Sequence, residues 1–120
     1  MRRFLSGAKL PFLALGVLLL VYLTGCVPGR QQIIITEPVF DPKGEKIAFV
    51  STKSGNAEIY VVNVDGTGLE QLTSGKAVNA SPNWSPDGKQ IVFVSNRDGS
   101  LALFIMDSDG SNQKKIPVSY

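Results

Sequence analysis

The sequence of 120 residues contains no histidine, a single cysteine and ten acidic residues, and these counts limit the chemistry that its side chains could do. Histidine is the commonest general base and the commonest zinc ligand, so a Ser-His-Asp triad cannot be built. No Gly-x-Ser-x-Gly nucleophile elbow occurs either. The inventory predicts a chain that is not an enzyme and that holds no metal and no cofactor.

The acidic residues leave two chemical alternatives, a pair of hydrolase carboxylates and a calcium loop. The segment Asp107-Ser-Asp109-Gly110 starts like a calcium loop, but Val118 stands where an EF-hand requires glutamate. We therefore expect a hairpin turn there. Most of the aspartates fall in turn sequences, where a carboxylate accepts backbone hydrogen bonds; these are Asp41, Asp65, Asp87, Asp98 and Asp109.

The only thiol, Cys26, follows a segment with the order of a secretory signal. Arg2, Arg3 and Lys9 precede an uncharged run over residues 10–23. That run is shorter than the roughly 20 residues that cross a bilayer core, and it fits the hydrophobic region of a signal peptide. After this segment the chain is slightly acidic, with nine basic and ten acidic residues, which argues against binding to nucleic acid.

The four residues Leu23-Thr24-Gly25-Cys26 resemble the lipobox of bacterial lipoproteins. The resemblance implies cleavage before Cys26, a diacylglyceryl thioether on its sulfur and an acyl chain such as palmitate on the new N-terminus. Several acyl chains together anchor a protein stably to a membrane. We therefore expect a signal peptide over residues 1–25, a tether over 26–32, and a chain held by its acyl groups on the cell membrane or outer membrane, facing the periplasm or the exterior.

The rest of the chain contains one unit twice, with a spacing of 44 residues. This period is typical of four-stranded propeller blades. No segment after Cys26 has helical periodicity, and β-branched and aromatic runs alternate with turn residues. We predict an all-β fold with two four-stranded antiparallel blades, over residues 33–76 and 77–120. The motif positions that should be structural are Phe40, Pro42 and Gly44 in the first copy and Trp84, Pro86, Asp87 and Gly88 in the second.

Turn chemistry separates the predicted strands. Pro86 and Gly88 suit a type I turn, and Pro42 and Gly44 repeat it. Trp84 should pack between the blades, as Phe40 should. The third strands are almost continuously apolar, so both of their faces should be covered. The predicted strands are 46–51, 58–63 and 68–73 in the first copy and 90–95, 101–107 and 113–118 in the second.

The run from Pro82 to Gly110 closely resembles the repeat of TolB-type β-propellers. The first copy departs from that pattern, with Phe40 in place of tryptophan and Asp41 in place of serine. The resemblance implies propeller blades. It does not specify a function, because the same blades occur in envelope scaffold proteins and beside peptidase domains.

Propellers close with four to eight blades, and this sequence supplies two. Three explanations are open. The chain is a piece of a longer propeller, which we rank first; or copies assemble, with three chains giving a six-blade ring; or the two blades persist as a small open unit.

The leading functional hypothesis is a lipid-anchored, non-catalytic interaction module of the bacterial envelope, with an envelope protein as partner. A role with Pal and the Tol machinery is one version, although TolB itself is soluble and has a further N-terminal domain. The alternative is an accessory or remnant of a propeller-containing hydrolase that binds peptide or carbohydrate.

Overall fold

The computed structural model describes residues 31–120, which form two four-stranded antiparallel sheets, and the all-β prediction is confirmed. In each sheet the strands lie side by side in sequence order. The predicted signal segment and Cys26 lie outside the described residues. The first sheet contains β1 (Ile35–Phe40), β2 (Lys46–Ser51), β3 (Glu58–Asn63) and β4 (Glu70–Gln71); the second contains β5 (Asn79–Trp84), β6 (Gln90–Ser95), β7 (Ala102–Asp107) and β8 (Lys114–Lys115).

The outer strands are shorter than the sequence pattern predicts, with two residues each. In the first sheet the Leu72 N–H still donates to the Ile59 carbonyl at 2.8 Å. The Ile59 N–H then donates to the Thr73 hydroxyl at 2.9 Å, so a side chain takes the place of the backbone ladder. In the second sheet the Ile116 N–H donates to the Leu103 carbonyl in the same way, but the equivalent of Thr73 is Pro117, which has no hydroxyl to accept the next bond.

Two backbone features repeat at equivalent positions of the sheets. The turns before β2 and β6 are closed by the N–H groups of Gly44 and Gly88, which donate to the carbonyls of Asp41 at 3.0 Å and Ser85 at 2.9 Å. Both glycines have positive φ, +68° and +72°, which is why glycine is needed there. The innermost strands β1 and β5 each contain a bulge.

The two sheets pack face to face, and the core lies between them. Alternate residues of each sheet point into this space because side chains alternate along a strand. The first sheet contributes Ala48, Ile59, Val61 and Leu72, and the second contributes Ile91, Phe93, Phe104 and Met106. Residues 31–120 contain no helix that is long and apolar enough to cross a membrane.

The third strands differ in how well they are covered. Residues Glu58 to Val61 of β3 are all buried, as the apolar run predicts. In β7 the expectation fails: Leu103, the equivalent of the fully buried Ile59, is 40% exposed. The second sheet covers the side of β3 that carries Ile59 and Val61, whereas no sheet in the described chain covers the equivalent side of β7.

Candidate interaction site

The turn motifs of the two sheets meet in a crevice of about 200 Å³, which we call the turn crevice. Trp84 packs against the core between the sheets, and its indole N–H donates to the Val39 carbonyl of the first sheet at 3.3 Å. Gly88 lies so close to the ring of Pro42 that a Cβ on it would sit 3.5 Å from the Pro42 Cδ. The crevice is lined by Asp41, Pro42, Lys43, Trp84, Gly88 and Ser108, among others.

The structure thus brings together part of the predicted motif set. Pro42, Trp84, Asp87 and Gly88 line the turn crevice, whereas Gly44 and Pro86 hold the turns without lining it. Phe40 does not pack between sheets as expected. Its side chain is 63% exposed, because no sheet in the described chain lies on that side of β1.

The turn aspartates act as hydrogen-bond acceptors. Asp87 accepts from the Ser85 hydroxyl at 2.6 Å and from the Lys89 N–H at 3.0 Å, and these bonds hold the pKa of its carboxyl below the ordinary value. Asp41 accepts from the backbone of Glu45 and Lys46, and the Lys46 N–H contributes most to lowering the Asp41 pKa. These carboxylates stabilise turns.

In the hairpins after β3 and β7, an aspartate likewise accepts hydrogen bonds from a residue of its own turn. The hydroxyl of Thr67 donates to Asp65 at 2.6 Å, the hydroxyl of Ser111 donates to Asp109 at 2.5 Å, and each lowers the pKa of its carboxyl. Asp98, the fifth turn aspartate, forms an exposed ion pair with Lys115 at 3.5 Å. Across residues 31–120, no cluster of three or more acidic or other ligand side chains is placed to hold a metal ion.

The junction of the two sheets contains a buried polar network that the sequence analysis did not predict. Glu58 is 1% exposed, and its carboxylate accepts from the Thr73 hydroxyl at 2.5 Å and from the Asn79 amide at 2.9 Å. Asn79 is fully buried and belongs to the second sheet. The backbones touch at the same place, because the Asn79 N–H donates to the Ala57 carbonyl at 3.0 Å. A buried charge with these partners links the two sheets.

Arg97 extends this network on the side of the second sheet. Its guanidinium donates to the Asn79 side-chain oxygen at 3.0 Å and to the Gln113 side chain at 2.8 Å, and lies 4.7 Å from the ring centre of Phe104. Gln113 then donates back to the Leu72 carbonyl of the first sheet at 2.9 Å. The sequence does indicate this network, because its polar residues are not repeated in the other copy. The second copy has Ala102 at the position of Glu58, and the first copy has Ile35 at the position of Asn79.

Each sheet also has a side that the other sheet does not cover. The side of the first sheet that points away from the second, the leading face, carries Ile47, Phe49, Tyr60 and Val62. The opposite side of the second sheet, the trailing face, carries the equivalent set Val92, Val94, Leu103 and Ile105. An open groove of about 360 Å³ lies along the trailing face, lined in part by Leu101, Leu103 and Val118.

Comparison with known proteins identifies the family to which the repeated unit belongs. Residues 26–120 match the family model described as PD40, the TolB beta propeller domain. The chain belongs to this PD40 family. The two sheets are therefore blades of the kind that this family model describes.

The PD40 chain is similar to curated proteins over short segments. It is 50% identical over 38 residues to the Tol-Pal system protein TolB of Geobacter sulfurreducens, a match that covers 32% of this chain and 9% of that protein. It is 38% identical over 52 residues to the protein of the same name from Thioalkalivibrio sulfidiphilus, covering 43% of this chain and 12% of the relative. The PD40 chain thus matches about a tenth of the length of these relatives.

Solved structures share the blade architecture. TolB from Acinetobacter baumannii superposes with a TM-score of 0.64 at 31% identity, over 70% of this chain and 21% of that one. Puromycin hydrolase superposes with a TM-score of 0.59 at 21% identity, over 68% of this chain and 14% of that one. At that identity the likeness to the hydrolase shows the fold alone.

Proposed function

We propose that this PD40 chain is a lipid-anchored protein of the bacterial cell envelope that binds another envelope protein and catalyses no reaction. The observation that carries the binding role is the turn crevice, where the half-buried Trp84 lies among Asp41, Lys43 and Ser108. An aromatic side chain with a rim of polar groups is the usual composition of a protein-binding patch.

The use of the acidic residues supports a non-catalytic role. Asp41 and Asp87 are engaged in turns, and Glu58 is engaged in the network between the blades. A carboxylate that holds backbone N–H groups stays ionised and is a poor proton donor. The likeness to puromycin hydrolase extends only to the fold, so it lends no support to hydrolysis.

The names of the curated relatives support an envelope partner. Both relatives are called Tol-Pal system protein TolB, and we propose a component of that system, with Pal as the first candidate, as the protein that binds the turn crevice. The anchor rests on the lipobox-like sequence ending at Cys26. Acyl chains there would hold the blades at the membrane surface and raise their local concentration near the partner.

The anchor is tested with the full chain expressed in a bacterial host that is fed labelled palmitate. The unsubstituted chain should carry label and sediment with the membranes, whereas Cys26→Ser should lose both properties. Val27→Ser is the matched control, because it adds the same hydroxyl next to an intact thiol, and it should behave like the unsubstituted chain. A labelled, membrane-bound Cys26→Ser protein would show that the anchor is not at this cysteine.

The binding role is tested by calorimetric titration of the purified full chain with Pal from the same genome. Lys43→Glu reverses a charge in the turn crevice, and we expect it to change the affinity by about tenfold, the usual scale for one charged contact. Lys76→Glu reverses an exposed charge on the connection between the blades, away from the crevice, and should leave the affinity unchanged. Equal effects of both variants, or no heat of binding with the unsubstituted chain, would contradict the proposed surface and partner.

A further inference from the structure

Four turns of the chain contain the dipeptide Asp-Gly, in which the aspartate side chain can react with the next main-chain nitrogen. The glycine has no side chain to hinder the approach. The nitrogen bonds to the side-chain carboxyl carbon, the N–H hydrogen and the carboxyl OH leave as water, and a succinimide ring forms. A second water molecule opens the ring to aspartate or to isoaspartate, in which the main chain runs through the side-chain carbon. The dipeptides are Asp65-Gly66, Asp87-Gly88, Asp98-Gly99 and Asp109-Gly110.

The backbone of the four turns is the same. In each turn the glycine has a positive φ, and its N–H donates to the carbonyl of the third residue before it at 2.8 or 2.9 Å. The reacting nitrogen must leave this hydrogen bond in all four turns, so the backbone does not favour one of them. The accepting residues are Asn63, Ser85, Asn96 and Asp107.

In three of the turns the aspartate carboxylate is held by two hydrogen bonds. Thr67 donates to Asp65 through its N–H at 3.0 Å and its hydroxyl at 2.6 Å. Ser111 donates to Asp109 in the same two ways, at 2.9 and 2.5 Å, and Asp87 is also held by one hydroxyl and one N–H. The carboxyl must leave these bonds before its carbon can be attacked. The same bonds lower the pKa of all three, so less of the reactive protonated form is present at neutral pH.

Asp98 lacks this support although its local sequence is that of Asp109, since glycine and serine follow both. Within residues 31–120, the Asp98 carboxylate forms an ion pair with Lys115 at 3.5 Å and accepts no hydrogen bond from Ser100. Both side chains of the pair are about half exposed, and an exposed pair of this kind holds a side chain weakly. The turn also has room to change shape, because a Cβ on Gly99 would have no neighbour within 4 Å.

The way in which the two hairpins are closed explains the difference. In the hairpin after β7, the Asp107 N–H donates to the Ser111 carbonyl at 2.8 Å, which turns this serine back over the aspartate. The equivalent donor in the hairpin after β6 is the Asn96 N–H, and it bonds instead to the carbonyl of Val78, just before β5, at 3.3 Å. Ser100 is therefore not drawn back over its aspartate.

We infer that Asp98 is a modification site, at which the folded chain forms a succinimide with the Gly99 nitrogen and converts to isoaspartate faster than at the other three dipeptides. The conversion adds one carbon atom to the main chain of the turn between β6 and β7 and changes the carboxylate that faces Lys115. The inference rests on the hydrogen bonds of these turns, and it does not depend on the proposed anchor or on the partner at the turn crevice.

Labelling with heavy-oxygen water measures the reaction at each aspartate. The full chain in detergent is kept at neutral pH in this water, and each cycle of ring formation and opening inserts one heavy oxygen atom. A protease that cleaves after lysine releases residues 90–114, which contain both Asp98 and Asp109. Electron-transfer fragmentation then locates the label and distinguishes isoaspartate. We expect labelling at Asp98 to be at least about tenfold faster than at Asp109, the factor for breaking one hydrogen bond to a charged group.

Unfolding and a matched pair of variants separate the fold from the local sequence. In concentrated urea the two Asp-Gly-Ser segments should be labelled at equal rates. Ser111→Ala removes the hydroxyl that holds Asp109 and should raise labelling there by about tenfold. Ser100→Ala makes the same exposed change beside Asp98 and should leave its rate unchanged. Equal rates at Asp98 and Asp109 in the folded chain, no label at Asp98, or a difference that persists in urea would each overturn the inference.

Discussion

Removing the Asn79 amide is the most direct way to test how the two blades are held together. Asn79→Ala deletes the donor that lies 2.9 Å from the Glu58 carboxylate and the acceptor that lies 3.0 Å from Arg97. Glu58 is 1% exposed, so water does not replace the lost bond. A buried charged acceptor deprived of one hydrogen bond costs about 3 kcal/mol, and we expect that loss in the free energy of unfolding.

Trp84 makes this loss easy to measure. It is the only tryptophan and it lies between the blades, so its fluorescence during urea unfolding reports on the junction. With a urea dependence of roughly 1–1.5 kcal/mol per molar for a domain of this size, the midpoint should fall by about 2–3 M. All variants must be compared at one protein concentration, because self-association shifts apparent stability.

The control is Asn56→Ala, which also removes an amide that bonds across the first blade. Its donor lies 2.7 Å from the Gly75 carbonyl, but in an exposed loop, and the loss should stay below about 0.5 kcal/mol. If Asn79→Ala and Asn56→Ala had the same midpoint, the buried network would contribute nothing to holding the blades together, and the reasoning would be refuted.

Two further predictions concern the turns. Folding lowers the pKa of four turn carboxyl groups, those of Asp41, Asp65, Asp87 and Asp109. Their contribution to stability is therefore complete above the ordinary aspartate pKa of about 3.9, and it is lost as the pH falls through the lowered pKa values. The urea midpoint should therefore drop as the pH falls below the ordinary aspartate pKa, and Asp87→Asn should make that drop smaller; an unchanged drop would contradict the assignment. Gly66 and Gly110 occupy equivalent turns with φ of +87° and +89°, but only at Gly110 would a Cβ lie 3.1 Å from the Leu72 carbonyl oxygen of the other blade. Both alanine variants should lose about 1 kcal/mol from backbone strain, and Gly110→Ala should lose about 1 kcal/mol more; equal midpoints would mean that Leu72 moves aside freely.

The repeated positions of the sequence were enough to predict the sheets. The 44-residue spacing and the turn residues gave the bounds of β2, β3 and β6 to the residue, and β7 to within one. The junction was not predicted, because it is made by residues that differ between the copies. Glu58 opens an apolar strand, and only its mismatch with Ala102 indicates a special role. Positions where two repeats disagree in polarity are therefore the places to look for contacts between repeats.

The exposure of Phe40 could not be predicted for a different reason. Its equivalent, Trp84, is covered because another blade precedes it in the chain, and the sequence of one repeat does not encode its neighbour. Burial at such a position depends on how many blades stand beside it. The same reasoning explains why Leu103 is exposed where Ile59 is buried.

The strand order of the two sheets has a consequence for the kinetics of folding. Every strand pairs with its neighbour in sequence. Each blade therefore closes only short loops, and little conformational entropy is lost when it forms. Contacts between strands far apart in sequence are confined to the docking of one finished blade on the next. A blade can then nucleate by itself, and gaining or losing one leaves the pairing inside the others intact. Modular folding of this kind lets a single repeat type serve in chains of very different length.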